Sequence, residues 1–272
     1  MTVRVLGDHR LACGDCTDAN VTDALFTGQQ KWADFATLDP PYGAALDADA
    51  PRRAEKAGTR GGRNPIITEA SASWDVFSEE KAKGWLMAAL TWCKPKAAIV
   101  CWTWDAALAD VLAAGADCGL RLAGIMTWCK PSATAKFWKH TVLTKATEFA
   151  VIFRQSKGIE TFGDLPRNFL VHTMTTPERA RGGFHPSPKP ELVMRLLIER
   201  FAPVGGIVYD PFAGSGSALI AAQQTGRRCF GVEMSADYCE KIADRYHAYT
   251  DLHGTEADRP DLRHGRQARL AL

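Results

Sequence analysis

Short β-branched and apolar runs alternate with longer stretches of helical period along most of the 272-residue chain. That alternation indicates a parallel α/β sheet whose strands are joined by crossover helices. Phe35–Leu38 is predicted as a strand ending at Asp39, and Ala97–Trp102 as a strand ahead of a helix over Asp105–Gly115. Arg121–Trp128 and Phe149–Phe153 supply further strands. Leu192, Val193, Leu196 and Leu197 form the stripe of a helix starting near Pro190, a residue suited to a first helical turn. The strand Gly206–Asp210, a glycine-rich turn, a helix over 217–225 and the strand Arg228–Glu233 follow, and then a final helix capped by Ser235.

Three stretches fall outside this rhythm. Residues 44–73 carry Gly58, Gly61, Gly62, two prolines and many charges without periodicity, which is long for a structureless loop and indicates a functional or disordered one. Residues 154–184 are polar and irregular, and 251–272 form a charged tail expected to fray. This leaves one domain over residues 1–250. At 46% hydrophobic and 24% charged residues the composition is that of an ordinary globular protein. No apolar run exceeds the six residues of Ala97–Trp102, far below the ~20 residues of a membrane span. The first residues lack the apolar core of a signal peptide, so a cytoplasmic protein without a membrane partner is expected.

A net charge of +2 implies no partner, but its distribution does. Arg52, Arg53, Lys56, Arg60 and Arg63 cluster around the single acid Glu55, and Lys130, Lys136, Lys139 and Lys145 interleave with Trp128, Phe137 and Trp138 without any acid. Basic stretches mixed with aromatics suit a polyanion with stackable bases. Arg52, Arg53, Lys56, Arg60, Arg63, Lys130, Lys136 and Lys139 are therefore candidate nucleic-acid contacts. Of the eight cysteines only Cys13 and Cys16 form a CxxC pair, with no second pair to complete a zinc site. No metal is expected, and reduced, largely buried thiols are.

Two loops carry candidate chemistry. Asp210-Pro211-Phe212-Ala213-Gly214-Ser215-Gly216 joins a strand to a helix, and its glycines permit a tight turn and close backbone approach to a ligand. It lacks the Lys-Ser/Thr of a P-loop and the third glycine of GxGxxG, where Leu219 stands. Glu233 ends the next strand, where a carboxylate can accept both hydroxyls of a ribose, so the unit is read as binding an adenosine-like moiety. An NAD enzyme remains open at this point. The second loop, Asp39-Pro40-Pro41-Tyr42, follows a strand at its carboxyl end. Two prolines remove two N–H donors, leaving the Asp39 carboxylate, the Pro40 carbonyl and the Tyr42 ring. Acceptors beside a flat ring suit a planar group bearing an NH₂. Two accepted hydrogen bonds would localise the lone pair of a base amine for attack on an electrophilic methyl, and Tyr42 would stack on a base extruded from the duplex.

Together DPPYG (39–43) and DPFAGSG (210–216) resemble the amino-methyltransferases that use S-adenosylmethionine to methylate adenine N6 or cytosine N4 in DNA. The tetrapeptide precedes the glycine loop, the order of the permuted β class. LACGDC (11–16) is similar to that class's N-terminal segment, whose acid sits near the cofactor adenine. TWCKP (127–131), KATEFAVIF (145–153) and HPSPKPELV (185–193) are similar to further segments of it. The departures are Ser187-Pro188 in place of Thr-Gln, and Thr147 in place of His before Glu148. The match runs from Leu11 to Tyr246.

The resemblance implies a Rossmann-like methyltransferase fold of the α/β class, a mostly parallel sheet with helices on both faces and a circularly permuted motif order. It implies a site-specific DNA methyltransferase with Asp39, Pro40, Pro41 and Tyr42 catalytic. S-adenosylmethionine would lie against Asp15, Cys16, Asp39, Lys189, Asp210, Phe212, Ala213, Gly214, Ser215, Gly216, Glu233 and Met234, with Phe212 or Met234 packing on the adenine. Asp39 at the first tetrapeptide position is the adenine-N6 form, cytosine N4 being the alternative. The 44–73 loop is expected to order on DNA, and 154–184 to form a short target-recognition segment. Expected partners are double-stranded DNA, a second copy of the chain and a cognate restriction endonuclease of a bacterial or phage system. An RNA or protein methyltransferase, an inactive DNA-binding module and an NAD oxidoreductase are weaker readings.

Overall fold

The computed structural model describes residues 2–28, 32–41, 77–131, 146–164, 166–185 and 187–254. In chain order its strands and α-helices are β1 (Val3–Leu6), β2 (His9–Cys13), α1 (Ala19–Phe26), β3 (Ala33–Leu38), α2 (Glu79–Thr91), β4 (Cys93–Thr103), α3 (Leu108–Asp117), β5 (Arg121–Cys129) and β6 (Thr147–Arg154). These are followed by β7 (Phe169–Val171), α4 (Thr176–Gly182), α5 (Glu191–Phe201), β8 (Ile207–Asp210), α6 (Ser217–Gln224), β9 (Arg228–Glu233) and α7 (Ala236–His253). Two compact units result: Met1–Lys31 with Thr161–Asp164 and Met174–Leu272, and Trp32–Glu160 with Leu165–Thr173.

In the first unit β1 runs antiparallel to β2, while β2 and β8 both lie parallel to β9. Cys13 pairs with Glu233 and Asp210 with Gly231, so the carboxyl ends of β2, β8 and β9 share one edge. Ligands bind at that edge in open α/β sheets. The helices that brace it are conventionally capped: Ser235 accepts from the Tyr238 N–H at the start of α7, and Asp18 accepts from Asn20 before α1. A histidine fastens the opposite end of β2. His9 is buried; its Nδ1 accepts the Cys229 N–H at 2.9 Å, so its Nε2 carries the proton and donates to Gln223 Oε1 at 2.6 Å. Burial lowers its pKa to about 4, against weaker raising effects from Gln223 and Asp8.

The second unit orders its strands β3-β4-β6-β5-β7. Every residue of β3 is buried. Its polar members are paired: Thr37 accepts from the Trp102 indole at 3.2 Å, and Asp34 from Lys94 at 2.5 Å. α3 meets this sheet at Gly115, where a Cβ would stand 2.4 Å from the Phe153 ring. The strand leading to Asp39 is thus held on a fully packed layer.

Each predicted strand and helix is present, with ends shifted by a few residues. Pro190 stands at the N-cap of α5 rather than inside its first turn, with ψ 139°. Parallel pairs are joined by antiparallel ones, because β6 runs against both β4 and β5. Residues 154–184 contain β7, an apolar run of only three residues, and α4, which has no apolar stripe to announce it. α4 is set by a capping box, Thr175 and Glu178 each satisfying the other's backbone N–H. The final helix continues to His253, inside the stretch read as tail. The 44–73 loop and residues 255–272 lie outside the described residues. No helix among the described residues is long and apolar enough to cross a membrane.

Candidate active site

The glycine loop of the first unit closes on itself. Phe212 N–H donates to Asp210 Oδ1 (3.1 Å), Ala213 N–H to the Val232 carbonyl (2.9 Å) and Gly216 N–H to the Ala213 carbonyl (2.7 Å). Gly214 N–H donates to Glu233 Oε2 at 2.8 Å. Gly214 and Gly216 have φ values of 51° and 75°, the left-handed region, and Gly216 is the N-cap of α6. Their open sides face protein: a Cβ on Gly214 would stand 3.2 Å from His185 Nε2, and one on Gly216 3.0 Å from Ile242 Cγ2. The glycines are thus required by the turn and by its packing.

Glu233 is fixed at both oxygens. Oε2 accepts from Gly214, and Oε1 accepts from the Ser235 N–H at 2.9 Å. A carboxylate offers about four lone-pair directions, more than these two amides fill. Burial raises the Glu233 pKa, and the Ser235, Gly214 and Met234 amides oppose the rise. The backbone of Glu233 gathers the N-terminal segment, since its carbonyl accepts the Gly14 N–H at 3.0 Å. Exposed Asp15 follows directly, with Oδ1 tied to Thr17 N (2.8 Å) and Oγ1 (2.7 Å). Cys16 is buried, and its thiol is pushed up to about 12 chiefly by burial. All eight cysteines are free thiols, five of them buried.

The structure therefore brings Asp15, Cys16, Asp210, Phe212–Gly216 and Glu233 to one edge of the first unit. Phe212 is half-buried and Met234 is exposed beside Glu233. Lys189 is buried, and its carbonyl accepts the Ser217 hydroxyl at 2.7 Å.

Two further residues hold this loop. Arg245 on α7 donates through Nη1 to the Ser215 carbonyl (2.6 Å) and through Nη2 to Glu191 Oε1 (2.9 Å). Both side chains are almost fully buried. Sequence reasoning missed them, although the signal was present: Arg245 falls among Cys239, Ile242, Ala243 and Tyr246 on the buried side of α7. A charged residue there is exceptional unless paired.

In the second unit Asp39 and Pro41 are half-buried and Pro40 buried, directly after β3. Leu38 pairs with Cys101, and the Cys101 thiol is raised by burial first and by the Asp39 charge second. Lys130 pairs with Glu148 and lies 4.6 Å from the centre of the Trp128 ring, whose indole N–H donates to the His172 carbonyl at 2.9 Å. Tyr42, Arg52, Arg53, Lys56, Arg60, Arg63, Lys136 and Lys139 lie outside the described residues.

The described residues thus carry a self-satisfied glycine turn with an acid closing the next strand in one unit, and a DPP loop after a buried strand in the other. The model of the DNA methylase family, which covers N6 and N4 enzymes, matches residues 33–244, and the chain belongs to that family. It is 45% identical over 68 residues to the type II methyltransferase M.HindIII of Haemophilus influenzae, covering 25% of this chain and 21% of that protein. The chain spans about a quarter of the length of the curated relatives it matches. Among solved structures it is similar to the M1.HpyAVI–SAM complex, with TM-score 0.61, 17% identity and coverage of 87% of this chain and 98% of that one. It is similar also to PvuII DNA methyltransferase (cytosine-N4-specific), with TM-score 0.64, 15% identity and coverage of 90% and 91%. These likenesses show a Rossmann-like fold with a mixed sheet and helices on both faces.

Proposed function

We propose that this protein transfers a methyl group from S-adenosylmethionine to the N6 amine of an adenine flipped out of duplex DNA. The observation that carries the reading is Asp39, an acid followed by two prolines at the carboxyl end of a fully buried strand. Membership of the DNA methylase family supports methylation of a DNA base, and an aspartate at this position supports adenine over cytosine.

The residues present fit the cofactor. Glu233, held by backbone amides, would accept from a ribose diol, while Asp15, Phe212 and Met234 would receive the adenine end. When bound, the cofactor supplies an electrophilic methyl on a sulfonium. The chain supplies orientation: the Asp39 carboxylate and the Pro40 carbonyl accept hydrogen bonds from the two amine N–H groups, drawing the nitrogen toward tetrahedral geometry. Asp39 also stabilises the positive charge that develops on that nitrogen until a proton departs to solvent. Tyr42 stacks on the flipped base, and the basic residues of 44–73 contact phosphates.

The test is transfer of labelled methyl from S-adenosylmethionine to duplex DNA, followed by nucleoside analysis. N6-methyladenine is expected. N4-methylcytosine alone would change the base while keeping the enzyme class, and no incorporation into DNA would overturn the proposal.

A further inference from the structure

We infer that Arg245, braced by Glu191, is a positioning residue that holds the glycine loop in its cofactor-binding shape; this rests on the reading of Phe212–Gly216 as the S-adenosylmethionine loop. Arg245 stands on α7, far in sequence from the loop, yet its guanidinium makes the loop's one contact of this kind among those described: Nη1 to the Ser215 carbonyl at 2.6 Å. The Gly216 N–H of the same peptide plane donates to the Ala213 carbonyl at 2.7 Å. The plane is therefore pinned at both ends, and with it the left-handed Gly216 that opens α6. Nη1 also lies 3.5 Å from the Ser217 hydroxyl, whose own proton goes to the Lys189 carbonyl.

The other arm of the fork is what makes this a brace. Nη2 meets Glu191 Oε1 at 2.9 Å, Glu191 Oε2 accepts from Gln224 Nε2 at 2.8 Å at the far end of α6, and the Glu191 N–H donates to Glu178 Oε1 at 3.0 Å. One carboxylate thereby sets both the arginine that holds the start of α6 and the glutamine at its end. A buried ion pair is weak evidence for stability, since a well-packed apolar pair often serves as well. An apolar pair could not, however, hold the Ser215 carbonyl. The planar fork serves two acceptors at once, which a lysine ammonium does not reproduce.

The experiment compares wild type with Arg245→Lys, Glu191→Gln and the apolar double variant Arg245→Met/Glu191→Leu. Calorimetry gives S-adenosylmethionine affinity per folded molecule, amide exchange of the cofactor-free protein gives the mobility of 213–217, and thermal melts give stability. Arg245→Lys is expected to weaken cofactor binding about tenfold, the scale of one lost charge-assisted hydrogen bond. Exchange at 213–217 should accelerate, and KM for the cofactor should rise with kcat within about twofold. The double variant should recover melting temperature without recovering affinity. If Arg245→Lys does not fold, Glu191→Gln decides, with a smaller loss of affinity and faster loop exchange expected. Wild-type affinity in a variant whose melting temperature has fallen would overturn the inference while leaving the cofactor reading intact. Failure of the wild-type protein to bind S-adenosylmethionine would overturn both.

Discussion

Gly214 donates its backbone N–H to Glu233 Oε2 at 2.8 Å, so the glycine turn also aims the acid proposed to hold the cofactor's ribose. The Ser235 N–H holds the other oxygen at 2.9 Å. Neither amide can reverse its role, and this makes the carboxylate hard to replace. In Glu233→Gln the new NH₂ would face one of these N–H donors, leaving an unmet pair. Glu233→Gln is therefore expected to bind S-adenosylmethionine almost as poorly as Glu233→Ala, each losing about 1–3 kcal/mol. Calorimetric affinities within error of wild type would remove Glu233 from the site.

Gly216 offers a test of the turn itself. At φ 75° an alanine pays the left-handed penalty, and its Cβ would press within 3.0 Å of Ile242 Cγ2. Gly216→Ala is expected to destabilise the protein by about 1–2 kcal/mol. Urea melts should show a lower midpoint at unchanged slope. A midpoint equal to wild type would mean that the loop relaxes freely.

Much of this was legible in the sequence, for a physical reason. Strands such as Ala33–Leu38 and Arg228–Glu233 are buried along most or all of their length, so each carries a short, mostly apolar stretch rather than an alternating one. The glycine turn and the acid after it are local in sequence, and the structure joins them by one hydrogen bond. Part of what escaped was held by long-range or purely polar contacts. β1 and β2 are four and five residues long, and mix arginines with their apolar positions. α4 depends on a capping box, and the direction of β6 is not encoded in its own residues. The pairing of Glu191 with Arg245 joins positions 54 residues apart, which no local pattern reports.

His9 makes stability depend on acid. Its folded pKa of about 4 lies below the ordinary histidine value of 6.5, so between those pH values the unfolded chain binds the additional proton. Its contribution is therefore fully present above pH 6.5 and is lost as pH falls through about 4. The size is about 3 kcal/mol at roughly 1.4 kcal/mol per pKa unit. Denaturant melts from pH 7 to pH 4 should show this slope in the wild type. In His9→Gln the stability at neutral pH should be lower and that part of the slope absent; an unchanged slope would assign the acid sensitivity to other groups.

The role proposed for Asp39 is chemical rather than structural. It is half-buried just beyond the last residue of β3, and the core of that strand is complete at Leu38. Asp39→Ala should therefore fold normally, with a thermal midpoint close to wild type. If the carboxylate accepts a hydrogen bond from the target amine, methyl transfer should fall by at least ~10²–10³, the usual effect of removing one preorganised electrostatic contact. Asp39→Asn keeps an acceptor oxygen but loses the charge that balances the developing cation, so it should retain a trace of activity above the alanine variant. S-adenosylmethionine affinity should change far less than turnover in both, because Glu233 and the glycine loop carry the proposed cofactor contacts. Single-turnover rates with saturating cofactor and duplex DNA separate the two effects, since a lost amine contact lowers the rate of transfer without lowering cofactor occupancy. A single-turnover rate in Asp39→Ala within tenfold of wild type would remove the acid from the reaction and leave the Pro40 carbonyl as the amine's principal acceptor.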